Sequence, residues 1–124
     1  MNVLDLAYNN LSGTMSSLVN SLSFSPFDID LSGNEFIGVL RMEIANFKNL
    51  EHLDISKNMF FGEIPESIGS CVKLEILAMR SNFFQEVIPS SLESLRGLQV
   101  LDLSKKNFSG NIPKFWRALS TSSY

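Results

Sequence analysis

Apolar residues recur along this chain in two alternating rhythms. Around Leu53 and Ile55 they stand two apart among Glu51, His52, Asp54 and Ser56, the spacing of a short strand with one buried face. Past Asn58 the spacing lengthens to three or four, through Phe60, Ile64, Ile68 and Cys71, as in turns and loose helix. Residues 50–65, L-E-H-L-D-I-S-K-N-M-F-F-G-E-I-P, show the pattern at its most regular, and displaced copies of this stretch make up nearly the whole chain. The register of Asn58 recurs 24 residues either way at Asn34 and Asn82, then 25 before Asn34 at Asn9 and 24 after Asn82 at Lys106.

Five units follow, about 1–25, 26–49, 50–73, 74–97 and 98–119, with a polar tail at 120–124. A unit this short cannot enclose its own core, so each apolar side must be covered by the next copy. Stacking lines the short strands up as a parallel sheet and predicts an α/β solenoid with little regular helix. Asn9, Asn34, Asn58 and Asn82 form a ladder whose amides can both donate to and accept from backbone groups in a tight turn. The glycine that follows, as in F-F-G and L-S-G, is expected at a positive φ or a close backbone approach. Arg41, Glu86 and Lys106 depart from the template proline, glycine and asparagine, and Ser122 stands where a sixth unit needs leucine. Lys106 cannot accept a hydrogen bond, so the fifth unit is expected to be the loosest.

The combined pattern L-x-x-L-x-I-S-x-N-x-F-x-G-x-I-P resembles the plant-specific leucine-rich repeat, over about 119 of the 124 residues. The wording L-D-L-A-Y-N-N-L-S-G, L-D-I-S-K-N-M-F and L-Q-V-L-D-L-S is similar to ectodomains of plant receptor-like serine/threonine kinases, in particular the immune-receptor class that senses bacterial protein fragments. That resemblance implies a right-handed coil with its sheet on the concave face. It also implies a protein or peptide ligand, a co-receptor ectodomain as second partner, and a place at the extracellular side of the plasma membrane. A membrane span and a kinase would follow in a full-length relative, and paired-cysteine caps would close the ends; the chain shows none of these, so the expected identity is a fragment of such an ectodomain. A secreted inhibitor of a cell-wall-degrading polygalacturonase, or a truncated product without activity, is the alternative.

Composition narrows the partners. A net charge of −3 with Lys and Arg scattered singly gives no basic footprint for nucleic acid. No apolar run approaches the roughly 20 residues of a membrane span, so no membrane contact is expected of this segment. Cys71 is the single cysteine, which excludes an intramolecular disulfide framework, and its register with Leu22, Phe47, Leu95 and Leu119 predicts a core position. There is no G-x-S-x-G, no Gly-rich phosphate loop and no kinase signature, and His52, the only histidine, has no second ligand at repeat register. Neither enzyme activity, a cofactor nor a metal is expected.

The predicted binding surface is the grid of outward positions on the five strands, including Ser32 and Ser56. Its candidate ligand contacts are Tyr8, Asp28, Asp30, His52, Asp54, Lys57, Ile76, Arg80, Asp102 and Lys105. Asp and Ser recur in most copies and read as repeat consensus, whereas Tyr8, Asp28, His52, Lys57, Ile76 and Arg80 differ from copy to copy and are the candidates for selectivity. Five strands about 4.8 Å apart make a face roughly 20 Å long, enough for about six extended residues. Two sequons, Asn10-Leu11-Ser12 and Asn107-Phe108-Ser109, share one outward template position and are candidate glycan acceptors in a secreted chain.

Overall fold

The computed structural model describes residues 3–14, 17, 26–40, 47–84 and 89–102. Its first sheet is parallel, in the order β1 (Val3–Asp5), β3 (Asp28–Asp30), β5 (His52–Asp54), β7 (Ile76–Ala78) and β9 (Val100–Asp102). Leu4, Ile29, Leu53, Leu77 and Leu101 pair in one continuous column. From Ile29 onward that column is buried, while its neighbours on each strand are half-buried. Period-2 alternation is therefore realised once per unit, and each three-residue strand is held by its neighbours in the stack.

A second parallel sheet follows each turn: β2 (Ser12–Gly13), β4 (Glu35–Gly38), β6 (Met59–Gly62) and β8 (Phe83–Phe84). The sequence predicts only turns and loose helix over this part of the unit. The strands form because Phe36, Phe60 and Phe84 alternate with exposed neighbours, and a shared inner face stacks their rings 6.4 and 6.3 Å apart, nearly parallel. On the far side, Pro65 and Pro89 hold extended backbone ahead of 3-10 turns at Glu66–Ser70 and Ser90–Ser94. Each turn buries one residue, Ile68 or Leu92, and Cys71 lies in the same core. These parts form a right-handed leucine-rich-repeat coil with the first sheet on its concave face and almost no helix.

The asparagines clamp unit to unit. The Nδ2 of Asn58 donates to the Leu31 carbonyl of the preceding unit at 2.8 Å, and its Oδ1 accepts from the Phe36 N–H at 3.0 Å. Asn82 makes the same pair with Ile55 and Phe60, and Asn34 with Leu6 and Leu11. Asn34, Asn58 and Asn82 are buried, so these bonds satisfy groups that water cannot reach. Asn9, in the first unit, is exposed; its side-chain Nδ2 donates to the Ala7 carbonyl two residues back, while its backbone N–H donates to Asn34 Oδ1 at 3.0 Å. Gly13, Gly38 and Gly62 all have positive φ. Arg41, Glu86, Lys106 and Ser122 lie outside the described residues.

Candidate ligand-binding site

The turns that leave β1, β3, β5 and β7 each pass through a left-handed residue: Tyr8, Gly33, Lys57 and Ser81 have φ of 56, 70, 58 and 60°. This column lies immediately before the asparagines, and the sequence reading missed it. Only Gly33 carries the residue type that signals such a conformation. The left-handed twist brings Tyr8 and Lys57, two units apart, to the same rim. The Lys57 ammonium donates to the Tyr8 hydroxyl at 3.3 Å and stands 5.8 Å from its ring centre.

Below that rim lies an open groove of about 310 Å³, lined by Tyr8, Ser32, Asp54, Ser56, Lys57, Ala78, Arg80 and Asp102. Ala78 stands where Asp30, Asp54 and Asp102 supply carboxylates in neighbouring units, and its methyl group leaves the floor open. At one end the Arg80 guanidinium donates through Nε to Asp102 at 2.8 Å. Arg80 keeps about two fifths of its side chain exposed, so it can also meet a ligand. The volume falls at the lower end of the roughly 300–1,000 Å³ typical of ligand sites.

The recurring aspartates brace their own turns. Asp30 accepts from the Ser32 hydroxyl at 2.6 Å and from its backbone N–H at 3.0 Å, and Asp54 accepts from the Ser56 N–H. Ser32 and Ser56 are consequently buried, at 6% exposure, and line the groove without standing out from the face as the alternation assigns them. The chain curls inward directly after the strand, so strict alternation ends at the aspartate.

The remaining candidates form a second group at the opposite end of the strands. His52 Nδ1 lies 3.4 Å from Asp28 on the adjacent strand, and Nε2 lies 3.7 Å from Glu75. The expectation that His52 has no potential ligand at repeat register is corrected here, because Asp28 and His52 pair directly in the sheet. Glu51 and Glu75, absent from the candidate list, complete a set with His52 whose ligand atoms lie within 4.8 Å of one another, a spacing compatible with a divalent cation. Their signal in the sequence was an acid one residue before the strand in two successive units. Ile76, half-buried, pairs with His52 from the other side. Asn10 is exposed, with φ of 58°. Lys105 and Asn107 lie outside the described residues.

Comparison with known proteins follows the same lines. A family model described as Leucine Rich Repeat matches residues 49–71. No curated protein matches the chain. Among solved structures, the ectodomain of the receptor kinase SOBIR1 from Arabidopsis thaliana is 32% identical, with a TM-score of 0.81 over 94% of this chain and 62% of its own. A chain of the BIR3–SERK2 complex from the same plant is 34% identical, with a TM-score of 0.73 over 81% of this chain and 53% of its own. The Arabidopsis receptor kinase HAESA, solved with the peptide hormone IDA and the co-receptor SERK1, is 35% identical, with a TM-score of 0.75 over 82% of this chain and 17% of its own. The chain thus spans between about half and three fifths of the shorter structures and a small part of the longer one. Among the described residues no helix is long and apolar enough to cross a membrane. The family match on the most regular unit, and structures that superpose on four fifths or more of the sequence, show that this chain carries leucine-rich repeats and has the fold of plant receptor-kinase ectodomains.

Proposed function

We propose that the chain is a recognition module of a plant receptor-kinase ectodomain, sensing a peptide or protein ligand at the outer face of the cell, in defence or development. The observation that carries this is the groove between Tyr8, Lys57, Arg80 and Asp102, where repeat consensus gives way and an alanine opens the floor. Both cations line the groove, and Lys57 meets there only a neutral hydroxyl and an aromatic face among the contacts described. A ligand segment carrying a carboxylate therefore has a site beside Lys57. The structures similar to this chain include one solved with a peptide hormone and a co-receptor, which supports both kinds of partner.

The test is peptide selection from a displayed random library against the whole chain, followed by calorimetry. Selected peptides are expected to carry an acidic residue, to bind with micromolar or weaker affinity because the face spans only about six residues, and to lose about tenfold on Lys57→Ala or Arg80→Ala. Glu93→Ala, on the 3-10 turn at the far side, should leave binding unchanged. Peptides indifferent to both cations, or no enrichment at all, would overturn the reading.

A further inference from the structure

The outer face of the second sheet carries an apolar stripe. Ile37, Met59, Phe61 and Phe83 are each between 38 and 53% exposed. They are neighbours because β4, β6 and β8 pair residues 22 apart, Ile37 with Met59 and Phe61 with Phe83, while β3, β5, β7 and β9 pair residues 24 apart, as Leu53 with Leu77. Met59 and Phe61 share one strand and one face, so the four side chains run diagonally across three strands. Glu35 precedes Ile37 and Glu63 follows Phe61 at the same alternation, and both acids are exposed. No Lys or Arg occurs among the described residues of β2, β4, β6 and β8.

The opposite flank has the inverse character. There each unit turns from its 3-10 segment back into the first sheet. Val72 is 58% exposed on that turn, with exposed Lys73 next in sequence and exposed Lys48 and Arg96 at its repeat register one unit earlier and one unit later. The return turn leads into the first sheet and the second sheet leads out of it, so the two patches lie at opposite ends of the first sheet's strands.

We propose that the acid-rimmed stripe of one chain docks on the base-rimmed Val72 flank of a second copy, head to tail. Four side chains of about 200 Å², left near half exposed, offer on the order of 350 Å² of apolar surface. A stable interface covers about 800 Å² on each partner, so the stripe is the dry centre and the acids form part of a polar rim. The resulting contact is weak and salt-sensitive. Because the two patches differ, the contact does not close on a dimer and extends to higher oligomers. It uses no residue of the concave groove and stands whether or not that groove binds a peptide.

Sedimentation equilibrium of the whole chain, from about 10 µM to about 1 mM, tests it in the range where small interfaces assemble. The average mass is expected to rise with concentration at low salt and to fall back towards the monomer in high salt. Phe61→Asp should leave a monomer with an unchanged circular-dichroism spectrum. Glu63→Lys and Lys73→Glu should each weaken self-association, and an equimolar mixture of the two should recover it, since the basic stripe of one then meets the acidic flank of the other. A monomer at every concentration overturns the proposal. So does association that persists in Phe61→Asp, or that mixing the charge variants does not recover.

Discussion

Gly33 lies directly beneath the ring of Tyr8. A Cβ built on Gly33 would sit 2.4 Å from Tyr8 Cδ1, and the residue has φ of 70°. The missing side chain lets the tyrosine lie flat across the neighbouring unit and reach Lys57, two units from its own. One glycine thereby sets the rim of the groove.

Gly33→Ala is expected to cost about 2 kcal/mol, from the left-handed backbone and the overlap with the ring together. Placing the same substitution in a Tyr8→Ala background removes the overlap and should lower its cost to about 1 kcal/mol. Urea unfolding of the four proteins measures the difference, and equal costs in the two backgrounds would show that the ring does not press on Gly33.

Asn58→Ala removes a donor to Leu31 and an acceptor for Phe36 and leaves both backbone groups buried. A loss of about 3 kcal/mol is expected, as for unsatisfied buried groups. Asn9→Ala, at an exposed position, should cost less than about 1 kcal/mol. Chemical denaturation of the two variants checks the contrast.

Burial pushes the Cys71 thiol above its usual range, against a smaller opposite pull from Lys48. Because the folded value is the higher one, the unfolded chain loses this proton first as pH rises. The stabilisation is complete below the unfolded value and is lost as pH climbs through the folded one. Melting temperature should therefore fall more steeply above about pH 8.5 in the parent than in Cys71→Ala. A thiol reagent should label Cys71 slowly in buffer and fast in denaturant, since the side chain has no exposed surface.

Expressed behind a secretory signal in plant cells, Asn10 should carry an N-linked glycan, visible as added mass on its tryptic peptide and absent in Asn10→Gln. An unmodified Asn10 would count against the extracellular assignment. Asn10 is exposed and its sequon partner Ser12 is exposed in a strand at one edge of the second sheet, so neither is hidden from a glycosyltransferase.

Much of the core was legible in the sequence, because Leu53, Ile55, Phe60, Ile64 and Ile68 recur at fixed intervals and burial follows periodicity. The second sheet was not. Met59–Gly62 is too short to show a strand rhythm of its own, and its pairing depends on a register set by the first sheet and the turn between them. The groove was legible only in part: Tyr8, Lys57 and Arg80 stand out as departures from the repeat, but nothing in their spacing shows that Tyr8 and Lys57 meet.

By itself the sequence determined the period, the buried columns and the coil, since a repeated apolar pattern has one economical way to leave water. Only the tertiary structure decided which outward residues share a surface. Side-chain reach across units depends on backbone twist and on single atoms, such as the Cβ that Gly33 lacks, and repeat spacing does not encode either.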